Sequence, residues 1–467
     1  MITTISDLIN KNHQKRVRIA VFGDAVIDEY YKVKVKRISP ESPVPVMLSE
    51  HDQPSYVIPG GAGNAAAQLK HWNVDCTLFS LMSSTDEAVY ERCGITLPKY
   101  LGLDAPLSAR VPRKRRFQDG QNLIRWDVEE PEYGEEMAAN LDMLRLCFEH
   151  YLRDEGGFDA VIFADYDKGT FKDSKKTQDL INLCRTYGVP TIVDPKDEPI
   201  EKWIGCTYFK PNSTEAEKFT GSHNDRNQAL KLYERLKSNI VITRGGQGVS
   251  FVNGDYGTIE SNKEVVVRNF SGAGDCFAAF FALAIAHKFS FPHAIDLAYA
   301  AGRIYVQREH NKPLIPLDLY DNKFVHEQDL KNRDFKLVVT NGCYDLTIHA
   351  GHISTFEFAK TKGDKLVVLI NSDESIKKIK GEERPIIPLE QRMKMVAALE
   401  CVDYVLPFHE TSPVNTIKQI APDAIVKGED WKEKGIRGAE YVKEVYFAPL
   451  VPGISTTNLI KKIKGGS

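Results

Sequence analysis

The chain has 467 residues, 42% of them hydrophobic and 27% charged, more than one hydrophobic core normally serves, so two or three domains are expected. A net charge of -3 provides no basic surface for nucleic acid or an anionic membrane, and no apolar run approaches membrane-spanning length. Eight scattered cysteines lack the short pairings of zinc sites and the density of a disulfide scaffold. The N-terminal stretch lacks a signal-peptide core, so a cytoplasmic protein with reduced thiols and small-molecule partners is expected.

From Arg18 to about Gln307, apolar runs of strand length alternate with stretches of helical period, which predicts an α/β fold with a mainly parallel sheet. The predicted strands are 19–22, 77–81, 160–164, 191–193 and 240–243. The predicted helices are 62–72, 135–152, 174–187, 227–236 and 273–287. Segments 31–49 and 115–127 alternate Val, Lys, Ile and Arg as half-exposed strands do, and form either a small sheet over a site or ordinary edge strands. A polar stretch with two prolines reads as a linker, residues 311–335, between domains 1–310 and 336–467. A second, Rossmann-like series follows, with strands 337–340, 365–370, 404–406 and 424–426 and helices near 354–361, 389–399 and 413–419.

In the first domain, Gly272, Ala273 and Gly274 open a long apolar helix, where their amides can face an anion. Asp275 then stands beside a phosphoryl group, placed to take a proton from an attacking hydroxyl, or else serves only the helix dipole. Gly60, Gly61 and Asn64 open another helix, where glycines admit a sugar close to backbone and the amide binds hydroxyls. Asp24 and, behind it, Asp28 follow the first strand, at the end where open α/β sheets place ligands. Asn212 and Glu215, one helical turn apart, suit Mg²⁺ and its waters beside ATP phosphates, or form a capping box.

The order of GGAGN, NSTE, TRGGQG (with Thr243, Gly245 and Gly248) and GAGD resembles the ribokinase-like PfkB family of sugar kinases. The segments ISPESPVPV (38–46), ADYDKG (164–169) and VDPK (193–196) resemble its branch acting on D-glycero-D-manno-heptose 7-phosphate. The resemblance implies a ribokinase-like α/β/α domain with a small β lid and Asp275 as base. It places the 272–274 amides as anion hole, Asn212 and Glu215 around Mg²⁺, and Asp24, Gly61 and Asn64 at the sugar. A phosphorylated sugar needs cations, and the lid carries Lys114, Arg116 and Arg125. Asn269-Phe270 departs from the Asp-Thr usual before the GAGD turn.

In the second domain, the run from Asn341 and Gly342 through Asp345 to His349, Gly351 and His352 follows a strand and opens a helix. Two histidines there can donate to nucleotide phosphates, with the glycine admitting them to backbone. Lys380, Arg384 and Lys427 supply cations, and Ser455, Thr456 and Thr457 supply further donors or an N-cap. Together these resemble the cytidylyltransferase-like nucleotidyltransferases with an HxGH motif, and the branch that adenylylates heptose 1-phosphate. One extra residue between Asp345 and His349 is expected to bulge at Thr347 or Ile348.

Both halves in this order resemble the bifunctional heptose kinase and adenylyltransferase of ADP-heptose biosynthesis, which feeds lipopolysaccharide. The resemblance implies ATP as substrate of both heads, a separate phosphatase between them, and a homodimer through the kinase domain. The alternatives are another sugar, CTP at the second head, or a scaffold with one decayed site.

Overall fold

The computed structural model describes residues 2–49, 51–99, 111–119, 121–129, 135–261, 265–268, 270–308, 312–319, 323–331, 333 and 335–451. The chain forms two compact units, Met1–Leu314 and Ile315–Ser467.

The first unit is built on an eight-stranded sheet. Its spatial order is Asp255–Glu260, Gly248–Asn253, Asn239–Thr243, Tyr208–Phe209, Thr191–Asp194, Ala160–Ala164, Val17–Gly23 and Val74–Phe79. The six strands from Asn239–Thr243 to Val74–Phe79 run parallel, and the remaining two pair antiparallel at one edge. The central strands are apolar along their whole length because helices cover both faces, so every residue of Ala160–Ala164 is buried. One face holds an aromatic cluster of Phe22, Phe79, Phe148, Phe163, Phe171 and Trp203. Burial of each of these side chains contributes about 1.5–3 kcal/mol.

Helix Ala273–Ala286 is apolar on every side, and all residues from Asp275 to Ala286 are buried. A helix of that composition has no solvent face and must lie in the interior. Phe281 packs against Phe291 at the start of helix Phe291–Tyr305, while Phe280 meets Trp72 edge-on, with centroids 5.0 Å apart. Its N-terminal turn opens to the surface at Gly274, and burial begins at Asp275.

The small sheet over the site has the order Tyr56–Gly61, Ala25–Lys32, Arg113–Asp119 and Gln121–Val128. It differs from the expected one. The strand beside Arg113–Asp119 begins at Ala25, directly after Asp24, while Lys34–Ile38 and Pro45–Leu48 form a separate two-stranded hairpin. Ala25–Lys32 shows no apolar-polar alternation because its first six residues are buried on both faces, Asp28 and Glu29 included.

The second unit has a five-stranded, wholly parallel sheet in the order Tyr404–Phe408, Lys365–Asn371, Leu337–Gly342, Ala424–Gly428 and Glu444–Ala448. The first strand in sequence sits centrally, so the direction of winding reverses between Leu337–Gly342 and Ala424–Gly428. That is where such sheets leave a crevice for a ligand. Residues 315–319 and 323–330, which read as linker, pack into this unit. Ile315, Val325 and Leu330 join Leu337, Val339 and Ile425 in its core. The single 3₁₀ turns Pro316–Leu319 and Glu327–Leu330 are too short to show a period in sequence.

Candidate active sites

In the first unit the parallel strands end on polar residues that meet at the start of helix Ala273–Ala286. Its N-cap, Gly272, has φ 83°. A side chain there would meet Asn64 Nδ2 at 2.4 Å and the Tyr305 hydroxyl at 2.6 Å, so both the backbone conformation and the space require glycine. Asp275 lies in the first turn, buried. The Tyr166 hydroxyl donates to its Oδ1. Asn64 Nδ2 donates to its Oδ2 at 2.7 Å, and Gln68 Nε2 holds the Asn64 carbonyl oxygen at 3.2 Å. Burial, aided by the Asp194 carboxylate, pushes Asp275 up to about 6 against the lowering effect of Tyr166, Asn64 and Lys210. A carboxyl group titrating there is ionised at neutral pH yet basic enough to accept a proton.

Lys210, almost fully buried, pairs with Asp194 at 2.9 Å, and a side chain at Gly274 would lie 3.8 Å from its ammonium. Lys202 and Asp165 form a second buried pair at 2.9 Å. Asp165 and Tyr166 belong to the ADYDKG segment and Asp194 to VDPK, Lys210 follows strand Tyr208–Phe209, and Lys202 stands in the 3₁₀ turn Ile200–Trp203.

Asp24, expected at a sugar, has its carboxylate engaged by the loop that follows Ala160–Ala164. Its Oδ2 accepts the amides of Tyr166 and Lys168 at 2.9 and 3.1 Å, and its Oδ1 accepts that of Thr170 at 3.0 Å. Asn212 and Glu215 form the capping box. The Glu215 amide donates to Asn212 Oδ1, and the Asn212 amide to Glu215 Oε2, each at 2.9 Å. Glu215 Oε1 lies 3.4 Å from Lys196, and burial with the Asp194 charge raises the Glu215 pKa. A bridge between Asn212 and Thr243 sets the NSTE segment beside the turn that holds Gly245 and Gly248. Gly60 passes so near Asp28 that a side chain would meet its Oδ2 at 2.6 Å, and Gly61 lies against the Asp24 carbonyl. Phe270 is exposed beside the Gly272 turn, while Asn269 lies outside the described residues.

The strand registers put Asp28, Lys114, Arg116 and Arg125 on one face of the small sheet. Arg116 pairs with Asp28, and Arg125 with Asp127 at 2.5 Å. Lys114 has no carboxylate within ion-pair distance among the described residues, and its ammonium stands 5.6 Å from the centre of the Tyr166 ring. Burial lowers its pKa, opposed by Asp28 and helped by Arg125 and Arg116. The opposite face carries Arg113 and Arg115, both paired with Glu29, at 2.7 and 2.9 Å.

In the second unit a cavity of about 1080 Å³ opens at the reversal point of the sheet, lined by Asn341, Gly342, Asp345, His349, Gly351, His352 and Lys427. His349 is the N-cap of helix Ala350–Lys360. Its amide points to His352 Nδ1 at 3.5 Å, and the two rings stack with centroids 3.8 Å apart. Burial lowers both pKa values, that of His352 to about 4 with help from the His349 charge. Both rings are thus neutral at neutral pH and can donate one N–H each without bringing charge.

Lys427 donates to the Asn341 carbonyl at 2.8 Å and lies 4.8 Å from the Trp431 ring centre. Burial pushes its pKa down to about 8. Asp345 was expected at the nucleotide, and here its buried carboxylate holds two cations, Arg384 and, at 3.4 Å, Lys380. Arg392, on helix Leu389–Ala397, carries no signal in the sequence that marks it for this site. Its side chain is fully buried and donates to the carbonyls of Ile387 and Cys343 and to Asp373 Oδ1, bracing the loop after the first strand. The extra residue before His349 is absorbed in the irregular segment 343–349, where the Thr347 hydroxyl donates to the Ile348 carbonyl. Ser455, Thr456 and Thr457 lie outside the described residues.

Comparison with known proteins divides the chain in the same way. Residues 172–316 match the model of the pfkB family carbohydrate kinases, and residues 339–462 the cytidylyltransferase-like model. A bifunctional protein HldE from Photorhabdus laumondii is 32% identical over 474 residues, covering 96% of this chain and 97% of the relative. One from Haemophilus influenzae is 32% identical over 484 residues, covering 96% and 98%. Phosphofructokinase-2 from Escherichia coli, solved in complex with potassium, superposes with a TM-score of 0.50 at 19% identity, covering 65% of this chain and 97% of that one.

Proposed function

The chain belongs to the family of bifunctional HldE proteins and joins a heptose kinase to a heptose-phosphate adenylyltransferase, and we propose how its residues divide the two reactions. In the kinase head, Asp275 takes the proton of the C1 hydroxyl of D-glycero-β-D-manno-heptose 7-phosphate as that oxygen attacks the γ-phosphorus of ATP. The amides of residues 272–274 face the charge on the transferring group, and Asn64 orients the sugar. Lys114, Arg116 and Arg125 hold the 7-phosphate, a role supported by their common face on the small sheet and by the lack of a carboxylate within ion-pair distance of Lys114 among the described residues. Asn212 and Glu215 offer side-chain oxygens, and burial, with the Asp194 carboxylate second, raises the Glu215 pKa, so the pair fits Mg²⁺ held through water. When bound, Mg²⁺ supplies neutralisation of the triphosphate. Thr243, Gly245 and Gly248 border the nucleotide.

In the transferase head, neutral His349 and His352 donate to the phosphates of ATP while an oxygen of heptose 1-phosphate attacks the α-phosphorus and pyrophosphate leaves. Lys427 adds positive charge where the attacking and attacked groups meet, and Ser455 to Thr457 add hydroxyl donors. Asp345 acts indirectly, by aiming Lys380 and Arg384 at the triphosphate. The 7-phosphate must be removed between the two steps by a separate phosphomonoesterase. ATP at both heads places the enzyme in the cytoplasm.

The observation that carries this reading is the presence of two differently built centres in separate units, a buried aspartate at a helix start held by Asn64 and Tyr166, and a stacked histidine pair lining a cavity. It is tested by a coupled assay with heptose 7-phosphate, a heptose bisphosphate phosphatase and each NTP in turn, reading the nucleotide sugar formed. ADP-heptose from ATP is the expected product. CDP-sugar from CTP at a higher rate would overturn the assignment of the base.

The outer face of the lid favours a homodimer through the kinase unit. Ile124 and Trp126 on that sheet, and Ile38 and Val44 on the adjoining hairpin, are exposed, and a second copy would cover them.

A further inference from the structure

Asp275 is held by contacts that reach far back along the chain. Its Oδ2 accepts from Asn64, and its Oδ1 from the hydroxyl of Tyr166, 109 residues away in sequence. Tyr166 is itself fixed at three places. Its amide donates to Asp24 at 2.9 Å, its ring lies under the ammonium of Lys114, and its hydroxyl is turned to the aspartate. Asp24 also ties down the amides of Lys168 and Thr170, so the whole 166–170 loop is moulded around one carboxylate. A tyrosine serving only to fill space would not need its hydroxyl on the one carboxylate that a phosphoryl-transfer site has to keep ionised.

We infer that Tyr166 is a positioning residue of the kinase: it orients the base through Oδ1 and holds it in the ionised form, with Asp24 setting the loop that makes this possible. The inference rests on the reading of Asp275 as base and extends it to a residue of the ADYDKG segment to which the sequence assigns no role. A hydrogen bond donated to a carboxylate favours the charged form, so the phenol opposes the burial that raises the Asp275 pKa. The other groups facing Asp275 come from every element around it. They are Asn64 on helix Ala62–Leu69, Asp194 and Lys210 at neighbouring strand ends and Tyr305 on helix Phe291–Tyr305, with Asp28 and Glu215 acting at one remove. Tyr166 itself stays protonated, since burial and the nearby carboxylates hold its pKa well above the usual value.

The sign of the effect follows. Kinase activity requires the ionised base and falls as pH drops through its pKa. Removing the phenolic donor raises that pKa and moves the acid limb of the profile upward. The test is the pH dependence of kinase kcat and KM for full-length wild type, Tyr166→Phe and Asp275→Asn, with adenylyl transfer on the same preparations as the measure of intact chain. For Tyr166→Phe the acid limb should move up by about one pH unit, with about tenfold lower kcat below the wild-type limb, recovery on the alkaline side and little change in KM. Replacing Tyr166 by a fluorotyrosine, a stronger donor, should move the limb the other way without removing any group from the fold. A uniform loss at all pH values with the limb unmoved in both variants, while Asp275→Asn is inactive, would overturn the inference and leave the base in place. Kinase activity surviving in Asp275→Asn would overturn the reading of the base itself.

Discussion

The two sites solve different electrostatic problems. The Asp275 carboxylate is closely held: two donors on its oxygens, a buried Lys210–Asp194 pair beside it, and a loop wrapped on Asp24 behind it. Around His349 and His352 there is an open cavity, two rings stripped of charge by burial, and cations bound to a carbonyl and a carboxylate. The nucleophiles account for the contrast. A sugar hydroxyl must lose a proton to attack phosphorus, so its site needs one group of tuned basicity. A sugar phosphate is already an anion, so its site needs donors and cations that steady charge, and a base would be superfluous.

The largest expected break in this comparison is a full separation of the heads. Asp275→Asn should lower kinase kcat by about a thousandfold and leave adenylyl transfer unchanged, and His349→Ala should do the reverse. Both rates measured on one preparation decide it, since loss of both from either change in a folded chain would sink the two-site reading. Next comes Lys427→Met, expected to cost about a hundredfold in transferase kcat/KM. Its pKa of about 8 adds a pH signature, because the ammonium is present below that value and lost above it. The transferase should therefore fade above about pH 8, where the kinase, limited on the acid side near pH 6, is fully active. Coincident pH profiles for the two activities would remove the electrostatic distinction. A smaller change is expected from Lys114→Gln, a rise of about tenfold in KM for the phosphorylated sugar with kcat nearly kept, read from initial rates at varied sugar. The smallest effect on catalysis belongs to Trp126→Glu on the outer face of the lid. Light scattering should show it shifting the mass toward the monomer while kinase turnover changes by about twofold or less.

How much of this was legible in the sequence depended on how local each feature is. The parallel strands announce themselves because burial on both faces leaves uninterrupted apolar runs, as in Ala160–Ala164. The lid strand Ala25–Lys32 is buried too but carries Asp28 and Glu29, whose cross-strand arginines make that burial tolerable and are invisible from the strand alone. The glycine turn before Asp275 and the histidine pair at Ala350–Lys360 are short-range signatures of backbone at a helix start. The partners that define their chemistry are not local: Asn64 is 211 residues from Asp275, and Arg392 is 49 from the carbonyl it braces. Asn212 and Glu215 stand between these cases. The spacing that suits a cation is also the spacing of a capping box, and the capping bonds are present.

Mounting the kinase's base on a helix buried from Asp275 to Ala286 has a consequence for how the enzyme fails. Partial opening of the surface releases little of that helix, since from Asp275 onward it has no exposed side from which to fray. Amides of residues 277–286 should be among the slowest in their unit to exchange with deuterium, and those of Gln121–Val128 among the fastest. On heating, the kinase should keep its turnover until the unit unfolds cooperatively, so loss of phosphorylation reports on global melting rather than on a softened active site.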